Sequence, residues 1–163
     1  MQRRLILMRH AKSAWDTDAP SDHERPLNKR GRRDAPRVGE RLAELGWIPE
    51  LVISSDATRT RQTWEGVATA FERVRTHFLP SLYGAGVPEV KAALAEVGAD
   101  VGTVLILGHN PGWEEVLVYL TGQEVRLTTA NAALLDGEAD SWEAATEQPE
   151  QWRLDRVIRP KEL

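Results

Sequence analysis

Three clusters of polar residues each follow an apolar run directly. Arg9-His10 follows Leu5 to Met8, Ser54-Ser55 follows Leu51 to Ile53 with Arg59 four residues further on, and Gly108-His109-Asn110-Pro111 follows Val104 to Leu107. Two arginines and two histidines brought to one place would suit a phosphate. Guanidinium groups present fixed donor forks that match phosphate oxygens, and helix amino ends add backbone donors. An imidazole held among cations has a lowered pKa, stays neutral and keeps a lone pair free for attack. His10 fits that nucleophilic role. His109 would donate a hydrogen bond to the oxygens that gather charge as a phosphoryl group moves in line. Neither step calls for a metal ion.

For these residues to meet, the apolar runs must be neighbouring strands, because an open α/β sheet collects its functional groups beyond the carboxyl ends of its strands. Val74 to Leu79 is a further strand of this kind. Between the first two strands, Val38, Leu42 and Leu45 mark a helix over Asn28 to Leu45, with Asn28 as its cap, Gly46 as its stop and a kink or early break expected at Pro36. A second helix is expected to follow Ser55 and run to about Phe71, and a third to span Pro88 to Val97. A fourth is expected from Pro111, with Asn110 supplying a capping oxygen and Glu114 and Glu115 in its first turn. Strands alternating with helices predict an α/β fold with a mainly parallel central sheet and helices on both faces. Ala130 to Leu135 and Trp152 to Ile158 read as two more strands, joined by a polar segment and forming an antiparallel edge.

The 163 residues, 41% of them hydrophobic, suffice for a single domain over 1–163. A net charge of -4 offers no broad footprint for nucleic acid or an anionic membrane, so neither is expected as a partner. Without cysteine there are no disulfides, thiolate metal sites or thiol nucleophiles, which is compatible with a reducing cytoplasm. Met1 to Arg4 resembles the basic start of a signal peptide, but the apolar stretch after it ends at Arg9, too soon for export. No stretch approaches the ~20 apolar residues of a membrane span. Arginine supplies 17 of the 21 basic residues, and Arg30, Arg32, Arg33 and Arg37 read as solvated surface or as a docking patch for an acidic partner. His23 reads as a solvent-facing loop residue and His77 as part of a strand, neither with a role. Tryptophans are expected in the core and rim, with Trp15 overhanging the pocket.

Taken in order, Leu7-Met8-Arg9-His10-Ala11-Lys12-Ser13, Arg25-Pro26-Leu27-Asn28 with Arg30-Gly31, Ser54-Ser55 with Arg59 and Gln62-Thr63, and Gly108-His109-Asn110-Pro111 resemble the histidine phosphatase superfamily. The resemblance covers nearly the whole chain and is nearest to the small SixA-like branch of phosphohistidine phosphatases. It implies a phosphoglycerate mutase-like three-layer α/β sandwich, a phosphoenzyme on His10, phosphate held by Arg9 and Arg59, a pocket completed by His109, a further contact from Arg25, and no cofactor. Two positions depart from the family pattern: Ala11 stands where glycine is frequent, and Asp56 stands where proline often follows the paired serines. Asp56 is expected to cap the second helix.

Phosphate esters leave poorly, so phosphomonoesterases of this superfamily generally use a carboxylic acid to protonate the departing oxygen. Asp16, Asp22 and Glu89 are the candidates. A phosphoramidate can be protonated on its own ring and needs an enzymic acid less. Only about two dozen residues separate the third and fourth strands, which leaves little material for a lid. Both features favour phosphohistidine on a protein, such as a histidine phosphocarrier or phosphotransfer domain. A small phosphomonoester or pyrophosphate compound is the alternative, and a phospho-binding module without turnover is a third reading.

Overall fold

The computed structural model describes residues 1–163. Six strands form one sheet: β1 (Gln2–Arg9), β2 (Leu51–Ser55), β3 (Arg75–Leu79), β4 (Thr103–Gly108), β5 (Ala132–Glu138) and β6 (Trp152–Ile158). They lie in the order β3-β2-β4-β1-β5-β6. The first four run parallel, while β5 is antiparallel to β1 and β6 to β5. Four helices accompany them: α1 (Lys29–Glu44), α2 (Thr58–Val67), α3 (Val87–Ala95) and α4 (Gly112–Thr121). The mainly parallel sheet with an antiparallel C-terminal edge is the expected architecture. No helix is long and apolar enough to cross a membrane.

The central strands are apolar at successive positions because both faces are covered. Along β1, Leu5 and Leu7 pack with Val90 and Leu94 of α3 and Trp113 and Leu117 of α4. Ile6 and Met8 pack on the opposite face with Val38 and Leu42 of α1 and Trp64 and Val67 of α2. The result is three layers, with the functional residues at the ends of the middle one. Arg9 stands beside Gly108 in the β1–β4 register, so His10 and His109, the next residue of each strand, leave the sheet side by side.

Several local expectations need correction. Asn28 does cap α1, accepting from Gly31 N at 2.9 Å, but the helix runs unbroken through Pro36. The proline rests against Gly66 of α2, where an added Cβ would lie 2.7 Å from Ala35 Cβ and 3.1 Å from Pro36 Cδ, so close helix packing offsets the missing hydrogen bond. Asn110 does not cap α4. Its side-chain amide donates to Leu127 O at 2.8 Å, and the helix opens at Gly112 without a side-chain cap. Asp56 does not cap α2, since its carboxylate pairs with His23 Nε2 at 2.8 Å. Arg30, Arg32 and Arg33 are exposed, as expected of solvated surface, but Arg30, Arg33 and the half-buried Arg37 also surround the buried carboxylate of Asp34 as its counter-ions. Five tryptophans are buried; Trp15, 72% exposed, is not.

Candidate active site

His10 is buried at the mouth of the sheet, 7% exposed, and its backbone is tied to both neighbouring strands' ends through His10 N to Gly108 O (3.0 Å) and Ala130 N to His10 O (2.9 Å). The next residue is fixed as well, because Ala11 N donates to Thr63 Oγ1 of α2 at 2.9 Å. His10 Nδ1 lies 2.7 Å from the carbonyl of Ala11, which can only accept, so the ring proton belongs on Nδ1 and the lone pair on Nε2. Burial holds the pKa of His10 down at about 3, helped by His109, Arg59 and Arg9. Neighbouring cations are thus a secondary cause of its neutrality and not, as expected from the sequence, the main one.

His109 lies beside it, ring centroids 5.2 Å apart. Its pKa falls to about 4, again first through burial and then through Arg59. His109 Nε2 is 2.8 Å from Ser55 Oγ, and that oxygen also accepts Ala57 N at 3.2 Å. The Ser55 hydroxyl has a proton to offer Nε2, and in the tautomer that accepts it the imidazole proton of His109 sits on Nδ1. Nδ1 has no protein partner.

Arg9 and Arg59 are gripped at their outer nitrogens, and Arg25 at Nε and Nη1. Arg9 donates from Nη1 to Leu127 O at 3.0 Å. Burial disfavours its charge and lowers its pKa. Arg59, 6% exposed in the first turn of α2, donates to Asp22 through both terminal nitrogens, reaching Asp22 O at 2.8 Å and Oδ2 at 3.1 Å. Arg25 donates to Asp22 Oδ1 at 3.0 Å, Ser13 Oγ at 2.7 Å and Ala14 O at 3.0 Å, with its guanidinium 3.6 Å above the Trp15 ring. In the whole chain, four buried side-chain polar atoms lack a partner: Arg9 Nε, Arg59 Nε, His109 Nδ1 and Asn110 Oδ1. Arg9 Nε and Arg59 Nε are donors, as is His109 Nδ1 in the tautomer that accepts from Ser55; all three residues surround His10, and buried donors without acceptors are rare. An anion with several oxygens would satisfy them together.

The three candidate acids are placed differently. Asp22 is half exposed at the rim of the site, where donors from Tyr83, Arg25 and Arg59 hold its carboxyl well below the usual carboxylate range, so it has no proton to give. Glu89 is turned to the start of α3, where Oε1 accepts Gly86 N at 2.7 Å. Asp16 is exposed in the loop after β1 and bonds to none of the site residues.

Two residues without an assigned role belong here. Tyr83 donates its hydroxyl to Asp22 Oδ2 and stands edge-on to His109, 5.4 Å between centroids. His23 is no free loop residue: it pairs with Asp56, its ring stands edge-on to Tyr83 at 4.9 Å, and its carbonyl accepts Thr58 N at the start of α2. Contacts therefore run without a gap from His10 through His109, Tyr83 and Asp22 to Arg59 and Arg25. Two open concavities adjoin this chain. One of about 330 Å³ is lined by Trp15, Asp22 and Arg25, and one of about 140 Å³ by His109, Gly86 and Glu115.

Residues 5–85 match the model of the histidine phosphatase superfamily, branch 1. An uncharacterised chloroplastic protein of Arabidopsis thaliana is 40% identical across 98% of this chain and 79% of its own length. An uncharacterised protein of Mycobacterium tuberculosis is 37% identical over 69% of each. Among solved structures, the protein of Nakamurella multipartitia that bears the name phosphohistidine phosphatase SixA superposes with a TM-score of 0.84 at 31% identity, covering 98% of this chain and 97% of that one. Its namesake from Agrobacterium tumefaciens gives 0.83 at 28% identity, covering 97% and 98%.

Proposed function

This chain belongs to the histidine phosphatase superfamily, and we propose that it hydrolyses phosphohistidine on a protein through a covalent phosphohistidine on its own His10. The superfamily and the SixA-like neighbours support a phosphatase. The observation that carries the finer reading is the convergence of unpartnered donors, Arg9 Nε, Arg59 Nε and His109 Nδ1, on a neutral histidine whose proton is anchored on Nδ1.

In the first step His10 Nε2 attacks phosphorus, and the bond to the substrate's ring nitrogen breaks. The electron pair stays on that ring, which leaves as neutral imidazole when its other nitrogen already carries a proton. His10 keeps its Nδ1 proton on Ala11 O, so the phosphorylated ring is cationic and departs readily when water attacks phosphorus in the second step. Arg9, Arg59 and His109 would stabilise the equatorial oxygens in both steps, supplying the positive charge that a metal ion would otherwise bring. A phosphorus–nitrogen substrate agrees with an ionised Asp22 and a Glu89 engaged in a helix cap, since such a bond breaks without an enzymic acid. The short connection between β3 and α3, residues 80–86, agrees with a rim open to a protein side chain.

The test offers the purified protein a histidine-phosphorylated carrier protein, a phosphoserine peptide and a nucleoside diphosphate sugar, each with chelator present. Release from the carrier alone is expected, with an acid-labile phosphoenzyme that His10→Ala abolishes. Turnover of the sugar nucleotide alone would point to a small-molecule substrate. Full turnover in His10→Ala would refute the nucleophile, and loss of all activity to the chelator would refute the metal-free mechanism.

A further inference from the structure

We propose that Asp22 is a positioning residue for phosphoryl transfer, clamping Arg59 and Arg25 into one rigid pair with Tyr83 as the clamp's third donor. The proposal rests on the phosphatase reading and names the residue that aims its cations. Asp22 grips Arg59 twice, with its carbonyl on Nη1 and its carboxylate on Nη2 at 2.8 and 3.1 Å, which fixes the plane of the guanidinium and leaves Nε unpartnered. The other carboxylate oxygen takes Arg25 Nε at 3.0 Å, so a single anion sets the spacing of two cations.

An exposed ion pair contributes little. Here the Asp22 side chain is 52% exposed, but the two arginine side chains it holds are only 8% and 10% exposed, and it is their burial, together with three fixed donors on one carboxylate, that sets this cluster apart from a surface pair. Tyr83 links the clamp to the chemistry, because the ring that donates to Asp22 also packs against His109. Three donors converge on the carboxylate, an arrangement that suits a permanent anion and not an acid that gives up a proton.

The opposite role is also chemically coherent, since a carboxylate on Arg59 could compete with phosphate, and the two roles predict opposite signs. Asp22→Asn, Asp22→Glu and Tyr83→Phe are compared with the parent protein for kcat and KM on the phosphorylated carrier and for Kd of inorganic phosphate by calorimetry. A clamp predicts that Asp22→Asn lowers kcat/KM by about 10- to 100-fold, the scale of loss when reacting groups are misplaced by about an ångström. It also predicts a weaker Kd for phosphate, partial recovery in Asp22→Glu, and a loss of a few fold in Tyr83→Phe. In the spectroscopic titration of the two tyrosines, the one that titrates high in the parent should move down in Asp22→Asn, because the carboxylate charge that disfavours its phenolate is gone. Tighter phosphate binding or unchanged kcat/KM in Asp22→Asn would overturn the proposal. Should that variant fail to fold, phosphate affinity in Tyr83→Phe decides: weakened binding supports the clamp, and unchanged or tighter binding refutes it. Phosphate binding is read without any substrate, and the His10→Ala control stands apart from it, so failure of the clamp is distinguishable from failure of the phosphatase reading.

Discussion

Replacing Ser55 with alanine tests whether the proton on His109 is placed by its neighbour. Ser55 is fully buried at the end of β2, where its oxygen lies 2.8 Å from His109 Nε2 and 3.2 Å from the donating Ala57 N. A net hydrogen bond of about 1 kcal/mol corresponds to a roughly five-fold preference for the tautomer with its proton on Nδ1. Losing that preference, together with the ring's fixed orientation, should lower the rate of phosphoenzyme formation by about 10-fold. His109→Ala removes the donor itself and should cost about 100- to 1000-fold. If the effect of Ser55 on the rate runs through His109, Ser55→Ala should cost less than about two-fold in the His109→Ala background. The buried Ala57 N–H also loses its acceptor, at about 1–2 kcal/mol, so Tm should fall by about 2–8 °C. Rapid-quench measurement of phosphoenzyme formation in the four proteins of the cycle, with calorimetric melting, gives both quantities. Equal factors in the two backgrounds would refute the tautomer argument.

Folding stability should depend on pH through the same histidines. Both have folded pKa values below the unfolded value of 6.5, at about 3 for His10 and about 4 for His109, so their contribution is complete above pH 6.5 and is lost as pH falls toward those values. Each should contribute a slope of about 1.4 kcal/mol per pH unit between pH 6 and 4, and His10→Ala should remove about half of the combined slope measured by denaturant titration. Arg59→Lys keeps the charge but loses the fork that reaches both Asp22 oxygens and presents Nε, so kcat/KM should fall about 10- to 100-fold in steady-state assays. Gly112→Ala would drive a Cβ to 1.8 Å from the carbonyl of Ala85, which must shift the segment carrying Tyr83; a loss of about 1–3 kcal/mol by chemical denaturation is expected, together with reduced activity.

What the sequence made legible was the part whose information is local. An apolar run followed by Arg-His or Gly-His is visible without a fold, and the parallel register that sets Arg9 beside Gly108 follows once the runs are strands of one sheet. Asn28 before a periodic stretch marks a helix start for the same reason. The misreadings concern side chains with a choice of partners. Asn110 and Asp56 both precede helices and suit capping, but tertiary neighbours claimed them: Leu127 O, 17 residues away, and His23, 33 residues away. Tyr83 carried no signal at all, since its contact with Asp22 spans 61 residues and exists only because the loop after β1 folds over the start of α2.

The cause of the histidines' neutrality matters to the chemistry more than its size. If cations alone lowered the pKa of His10, a phosphate dianion arriving among Arg9 and Arg59 would cancel their field and raise the pKa again, costing the nucleophile its lone pair when it is needed. Burial does not reverse in this way, because substrate binding removes still more water from the ring. In His10 and His109 alike burial is the largest cause, with arginine charge behind it. The β1 and β4 ends that place both rings at the sheet's mouth, the Ala11 carbonyl that fixes the His10 proton and the Ser55 hydroxyl bonded to His109 therefore act together. They keep one imidazole available for attack and the other able to donate, while the arginines remain free to bind the anion.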